Sequence, residues 1–138
     1  MIKYPVEIEK EEVKAAGIGL PISTKSSIIV CRKINRMELD KSKKFLQELI
    51  GKKIDINGKY FTKTCEEILK ILESAEKNAE YKGMKAPVIR TVCAEKGAKR
   101  MRSKRRRSFG SKLKNTNIKI ILKEGKEKKK VNKDEHKK

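Results

Sequence analysis

The sequence predicts an α+β fold in which three helices pack on a small antiparallel sheet that carries a long protruding β-hairpin. Apolar residues recur with a helical period between residues 24 and 83, and they alternate as in a strand after Pro87. The run from Glu95 to Lys114 lies between two strand-like segments, and ten of its twenty residues are Lys or Arg against one acid. A long basic segment held between paired strands is expected to project as an arm that enters a polyanion.

The composition of the whole chain points to the same kind of partner. Its 138 residues include 38 Lys and Arg against 18 Asp and Glu, a formal net charge of +20 that exceeds what solubility requires. Nucleic acid is therefore the first partner to expect. No apolar run approaches the roughly 18 residues of a membrane-spanning helix, and residues 1–10 lack a signal-peptide core, so we expect a cytoplasmic protein without a membrane partner.

The domain organisation is expected to be simple. Residues 1–123 form a single globular α+β domain that includes an extended basic β-hairpin, 87–123, with its tip at about 97–114. The Lys-rich tail, 124–138, has no apolar periodicity and is expected to be disordered. Its charge either adds diffuse attraction to phosphate or serves solubility only.

The first two helices are predicted from amphipathic patterns. One begins at Ser23 or Thr24 as the N-cap, and its apolar side is expected to consist of Ile28, Cys31 and Ile34. Its outer face is basic, and such a face is either solvated or in contact with RNA. The second helix is predicted to run from Asp40 as N-cap to a terminal Gly51. Its buried stripe is expected to be Phe45, Leu46, Leu49 and Ile50.

The third helix is predicted to be the longest. Thr64 and Glu67 have the spacing of a capping box at its start, and Gly83 ends it. The expected apolar side consists of Ile68, Leu69, Ile71, Leu72, Ala75 and Ala79. Before it, the segment 55–58 (Asp-Ile-Asn-Gly) predicts a turn.

Three segments are predicted as strands. Residues 15–22 are expected to form an edge strand. After Pro87, one face is expected to carry Ile89, Thr91 and Cys93, in alternation with Val88, Arg90, Val92 and Ala94. In the return strand Ile118, Ile120 and Leu122 face one way, and Ile121 is an apolar exception on the opposite face. These last two segments are expected to pair as antiparallel strands with one face on the helices.

Metal, disulfide and catalytic chemistry find no support in the sequence. Cys31, Cys65 and Cys93 are widely spaced without a CxxC pair, and the single histidine, His136, lies in the tail. Each Cys lies in an apolar pattern and is expected to be a small buried hydrophobe. The phosphate-loop and nucleophile-elbow motifs are missing too, so we expect no enzyme, cofactor, metal or small-molecule substrate.

The basic run has the chemistry of a nucleic-acid contact. Arg predominates in its centre, and a guanidinium binds phosphate in bidentate fashion and stacks on bases. Phe109 either stacks on an unpaired base or packs locally at the tip, and Gly110 beside it permits close backbone approach. Repulsion between like charges is expected to keep this run unordered until it binds. The candidate RNA-binding residues are Lys25, Arg32, Lys96, Lys99, Arg100, Arg102, Lys104, Arg105, Arg106, Arg107, Phe109, Gly110, Lys112 and Lys114.

Three strings resemble one known family, the universal large-subunit ribosomal protein number twenty-two in its archaeal and eukaryotic form. ILKILESAEKNAEYKG (68–83) is similar to the family's long helix, MRSKRRRSFG (101–110) to its arginine-rich hairpin tip, and ISTKSS (22–27) to the start of its first helix. Their order and spacing carry the resemblance over most of residues 11–123. The chain departs from the family in a short loop between Ile56 and Tyr60, a short segment after Gly110, the pair Ser108-Phe109 and the apolar stretch 18–20.

The resemblance implies a structural component of the large ribosomal subunit, located in cytoplasmic ribosomes. It implies that the hairpin reaches through ribosomal RNA and lines the nascent-peptide exit tunnel. The implied partners are large-subunit rRNA, neighbouring large-subunit proteins and the nascent polypeptide. Lys25, Arg105, Arg106, Arg107 and Gly110 match the family's RNA-contacting motifs.

Two alternatives come from other classes of protein. A free-standing nucleic-acid-binding or RNA-chaperone protein shares the charge and the tail, but it does not need an arm ordered by paired strands. A membrane-surface or heparin-type module needs only diffuse charge, and the excess of Arg over Lys argues against it.

Overall fold

The computed structural model of the chain describes residues 2–105 and 107–125. This part folds into three helices and five strands, and the predicted α+β architecture is confirmed. In chain order the elements are β1 (Val13–Leu20), α1 (Thr24–Ile34), α2 (Leu39–Ile50), α3 (Thr62–Tyr81), β2 (Pro87–Lys96), β3 (Arg100–Met101), β4 (Lys112–Leu113) and β5 (Thr116–Glu124). The residues that follow, 126–138, include most of the predicted tail and lie outside the described residues.

The main sheet has three antiparallel strands in the order β1-β5-β2. The predicted edge strand is confirmed as β1, and the predicted return strand is confirmed as β5, which occupies the centre. Helix α3 packs on β1 and β5, while α1 packs on β2, so the helices cover one face of the sheet. The core between them is built from Ile, Leu, Val, Ala and Cys side chains with no buried aromatic residue in the described part of the chain.

The first helix buries a different stripe from the one predicted. Ser23 is its N-cap residue as expected, but the hydroxyl forms no capping hydrogen bond. The buried residues are Ser27, Val30, Cys31 and Ile34, which share one helix face at spacings of three and four. The prediction for Ile28 was wrong, because it lies one residue past Ser27 and is therefore turned about a quarter of a circle from that face, where it is only partly buried.

The predicted N-caps of the other two helices were wrong. Helix α2 begins at Leu39 with Glu38 as N-cap, because Leu39 is itself a core residue, and Asp40 falls in the first turn. Helix α3 begins at Thr62, two residues before the predicted capping box, after Phe61 in a left-handed conformation (φ +48°). Buried Thr64 therefore lies inside the helix instead of capping it.

The buried stripes and the ends of these helices agree better with the sequence. Leu46 and Leu49 are fully buried in α2, and Phe45 and Ile50 pack on the core as partly buried residues. In α3 the predicted stripe is confirmed, with Leu69 partly buried and the rest buried.

Gly83 ends α3 with φ +70°. The Gly83 N–H donates to the Glu80 carbonyl (2.9 Å) and the Met84 N–H to the Ala79 carbonyl (3.0 Å), which is the Schellman pattern. The predicted turn at 55–58 is also confirmed, since the Gly58 N–H donates to Oδ2 of Asp55 (2.7 Å).

A β-bulge at Arg90 changes the predicted faces of β2. Ile89 pairs with Leu122 and Thr91 with Ile121, so Arg90 is the extra residue. The insertion inverts the phase of the strand. Ile89 and Val92 consequently share the core face, and the prediction that Thr91 and Cys93 continue the face of Ile89 was wrong.

The second face of the sheet is covered by the segment that precedes β1. On that face Lys119 and Ile121 of β5 are buried, and Tyr4 lies near Lys119 and Cys93. Arg90 pairs with Glu12, and Nζ of Lys82 donates to the backbone carbonyls of Lys10 and Glu12 (2.7 Å each). This cover explains the apolar exception at Ile121.

The cysteines are free thiols within the packed domain. Cys31 and Cys65 are buried, as predicted, whereas Cys93 is half-buried on the second face of the sheet.

Candidate nucleic-acid interface

Strands β2 and β5 continue past the helices into the predicted long hairpin. The main ladder ends with the pair Lys96 and Thr116, and β3 then pairs with β4. Three further backbone hydrogen bonds join the two sides of the hairpin. The Gly97 N–H donates to the Asn115 carbonyl (2.9 Å), the Arg102 N–H to the Ser111 carbonyl (3.0 Å) and the Gly110 N–H to the Arg102 carbonyl (3.1 Å). The basic run is thus held between paired strands, while its expected ordering on binding stays a prediction.

The tip is a tight turn from Ser108 to Ser111, closed by a hydrogen bond from the Ser111 N–H to the Ser108 carbonyl (3.2 Å). Gly110 has φ +73°, a conformation that glycine adopts without strain, and no atom of the described chain lies near the position of a Cβ. Phe109 is 63% exposed, so local packing does not cover its ring. The ring is therefore available for contact with a binding partner.

The charges of the arm are unbalanced within the described chain. Glu95, the one acid of the run, forms an ion pair with Lys119 of β5. None of the described Lys and Arg residues from 96 to 114 forms an ion pair with a described residue, and all of them are exposed. Arg106 is a predicted contact that lies outside the described residues. Such a concentration of unpaired cations attracts a polyanion.

The structure brings one of the two predicted α1 contacts to the arm. Lys25, in the first turn of α1, shares a cleft with Lys96, Lys99 and Arg100 at the root of the hairpin. Arg32 is exposed but lies in the last turn of the same helix and does not line this cleft.

Two clefts flank the root of the hairpin. The first, of about 700 Å³, lies between the start of α1 and the hairpin root, with Lys25 and Lys99 among its lining. The second, of about 670 Å³, adjoins it and is lined by the start of α3 together with Arg100, Arg102 and Lys112. Arg100 and Lys112 line both clefts.

The helix ends in these clefts add to the positive potential. Neither N-cap residue of α1 or α3 forms a side-chain capping bond, and neither first turn contains an acidic residue. The free N–H groups at a helix N-terminus carry partial positive charge and favour anions.

Several residues of the clefts were not among the predicted contacts, and two polar ones illustrate why. Lys63 in the first turn of α3 lines the second cleft, and Asn115 lines the first. A basic residue beside the predicted cap at Thr64 was a usable signal for Lys63. Nothing local marks Asn115, because its position against the clefts arises from tertiary contacts.

The described residues contain no cluster of His, Cys, Asp and Glu able to hold a metal ion. None of the helices described here has the length and apolarity needed to cross a membrane.

Comparison with known proteins identifies the family that this chain resembles. Residues 15–123 match the family described as ribosomal protein L22p/L17e. The chain is 33% identical over 144 residues to the large ribosomal subunit protein uL22 of Methanosphaera stadtmanae, with 86% of this chain and 93% of that protein covered. It is 33% identical over 147 residues to uL22 of Methanopyrus kandleri, covering 87% and 92% of the two chains, and 34% identical over 109 residues to uL22 of Methanocaldococcus jannaschii, covering 64% and 70%.

Proposed function

This chain belongs to the L22p/L17e family of ribosomal proteins, and from this premise we propose that it binds large-subunit ribosomal RNA through its basic hairpin and the adjacent start of α1. It is a structural constituent of the large ribosomal subunit in cytoplasmic ribosomes. Its role is to neutralise phosphate charge and to join RNA segments during assembly, without a catalytic step of its own.

The observation that carries this proposal is the set of unpaired cations on a paired-strand arm. The acids of the chain lie elsewhere, and the one acid of the run is already neutralised by Lys119. The paired strands at the base of the run limit the freedom of its charges before binding, so less freedom is lost on binding than for charges on a loose tail. This arrangement therefore favours a fixed position of the arm inside folded RNA over exchangeable binding along the surface of the RNA.

We extend the proposal to the hairpin tip, which lines the nascent-peptide exit tunnel and contacts the growing polypeptide. In support, the tip presents Phe109 and Gly110 beyond the last strand pair, where they contact little of the domain itself. Neighbouring large-subunit proteins are further partners of the globular part.

A sucrose gradient of cell lysate tests the proposal, run before and after a wash at high salt. The full chain is compared with two variants in which four exposed cations are changed to Gln. The arm variant changes Arg102, Lys104, Arg105 and Arg107. The control variant changes Lys44, Lys53, Lys59 and Lys77, which are exposed and lie away from the arm.

The proposal expects the full chain and the control variant to migrate with the large subunit and to resist the wash. The arm variant is expected to be incorporated poorly or to wash off. A full chain that stays in soluble fractions would instead identify a free-standing nucleic-acid-binding protein. If both variants migrate and resist the wash equally, the cations of the arm do not contribute to binding.

A further inference from the structure

The first cleft at the hairpin root has a size and lining that suit one nucleotide, and the inference drawn from it rests on the proposed function. We propose that it holds one ribonucleotide, with the phosphate against Lys25 and the first turn of α1, and with the ribose 2′-hydroxyl donating a hydrogen bond to Oδ1 of Asn115. The arm then carries a specific contact at its root in addition to the diffuse contacts along its length.

The lining of the cleft combines the two kinds of surface that a nucleotide needs. Lys25, Lys96, Lys99 and Arg100 surround it, and they form no ion pair with any described residue. Ile22, Ala98 and Leu113 contribute apolar surface beside them. Its volume of about 700 Å³ falls in the range of small-molecule sites, which is roughly 300–1,000 Å³.

The wall of the cleft contains a buried acceptor without a donor. Asn115 is only 8% exposed, and its Nδ2 donates to the Ala98 carbonyl (2.7 Å). Its Oδ1 accepts no hydrogen bond in the described chain. A buried carbonyl oxygen without a donor is unfavourable, so a ligand that supplies the donor is bound more tightly.

The start of α1 supplies the place for the phosphate. Its N-cap, Ser23, leaves the first-turn N–H groups without a side-chain acceptor, and Oγ1 of Thr24 is bonded to Oγ1 of Thr116 instead (2.8 Å). A nucleotide whose phosphate is held there by Lys25 carries a ribose on the same unit. In RNA this ribose has a 2′-hydroxyl, which DNA lacks. One nucleotide thus satisfies both the cations and the acceptor.

Access to Oδ1 depends on a glycine. A Cβ at Gly97 would lie 2.6 Å from Oδ1 of Asn115, so only glycine permits the amide to lie where it does. Because Oδ1 is itself buried, the 2′-hydroxyl reaches it through a shift of the hairpin root at Gly97, where no side chain has to move.

The test maps interference at single nucleotides. The full chain binds transcripts of large-subunit rRNA that carry random 2′-deoxy or phosphorothioate substitutions, and bound and free fractions are compared. Wild type is measured beside Asn115→Ala, Lys25→Ala and the control Asn78→Ala, whose Nδ2 also donates to a backbone carbonyl (3.3 Å) but lies on α3.

The proposal expects one nucleotide at which a 2′-deoxy substitution weakens wild-type binding by about fivefold. Asn115→Ala loses this sensitivity, Asn78→Ala keeps it, and Lys25→Ala loses the phosphorothioate effect at the same nucleotide or its neighbour. Because Lys25 is exposed, that variant folds even if Asn115→Ala does not.

Two results would overturn the inference while leaving the proposed function intact. One is tight binding to rRNA with the same 2′-deoxy pattern in wild type and Asn115→Ala. The other is a Lys25-dependent phosphate far from any nucleotide with 2′-deoxy sensitivity. A chain that fails to bind large-subunit rRNA at all would instead contradict the proposed function.

Discussion

Arg90 and Glu12 form an ion pair on the second face of the sheet, in which Glu12 is 4% exposed and Arg90 is 28% exposed. The side-chain hydrogen bond to Glu12 raises the pKa of Arg90. Arg90 is also the bulged residue of β2. The bulge thus directs a cation towards the segment that covers this face, and the buried carboxylate depends on it.

Replacing Arg90 is therefore expected to destabilise the domain strongly. Arg90→Leu removes the cation that pairs with the buried Glu12 carboxylate and leaves the Glu9 N–H as its donor (3.1 Å). Losing this cation is costlier than losing an exposed pair. Urea unfolding should show a larger fall in midpoint for Arg90→Leu than for Lys70→Leu, which breaks the exposed pair with Glu67. The double variant Glu12→Gln/Arg90→Leu should regain part of the loss, and equal midpoints for the single variants would contradict this account.

Different substitutions of Gly83, at the end of α3, are expected to lower the stability of the domain by different amounts. With φ +70° and no neighbour near a Cβ, Gly83→Ala should cost about 1 kcal/mol through backbone strain alone. Gly83→Asn should cost less, because Asn tolerates the left-handed conformation better. Thermal and urea unfolding of the two variants check the order, and an Ala variant as stable as wild type would contradict it.

Burial of Cys31 predicts a loss of stability in alkali. Removal from water raises the pKa of Cys31 from 9.0 to about 12. The thiol stays protonated in the folded chain while it ionises in the unfolded chain. The contribution of the Cys31 thiol to the free energy of unfolding is therefore complete below pH 9 and is lost as the pH rises towards 12.

The matched variant Cys31→Ala isolates this contribution. Between pH 8 and pH 10 the free energy of unfolding of wild type should fall by about 1.4 kcal/mol more than that of Cys31→Ala. Urea titrations at the two pH values measure the difference. Parallel losses in both proteins would show that the thiol does not ionise selectively in the unfolded state.

The unpaired cations of the arm predict a change in salt dependence. Each of Arg102→Gln and Arg105→Gln should reduce the slope of log K against log salt by about 0.7–0.9 if the residue contacts a phosphate. Filter binding to large-subunit rRNA over a series of KCl concentrations gives the slope. Lys44→Gln should leave it unchanged, and unaltered slopes in the arm variants would place these residues outside the contact.

Much of the fold follows from periodicity, because burial of one face imposes a repeat on each element. The apolar stripes of α2 and α3 and the return strand with Ile118, Ile120 and Leu122 are examples. The bulge at Arg90 left no such sign, since one extra residue changes the phase of a strand without changing its composition. The start of α3 was missed because Phe61 adopts a left-handed conformation that its residue type does not favour.

The same distinction between local sequence pattern and tertiary packing applies to the candidate interface. The basic run is a local property, and the Lys and Arg residues that the structure describes in it are exposed. Its clefts arise where α1, α3 and the hairpin root meet, and residues such as Lys63 and Asn115 acquire a place there only through tertiary packing.

The strand that returns from the hairpin tip is also the middle strand of the sheet. A pull on the tip along the hairpin axis is therefore transmitted into β5, whose hydrogen bonds to β1 run across that direction and are loaded together, in shear. Bonds loaded in this way must break together, whereas bonds at an end that is peeled away break one after another. The arm is consequently anchored at the most buried strand of the domain, and this attachment resists a pulling force on the tip.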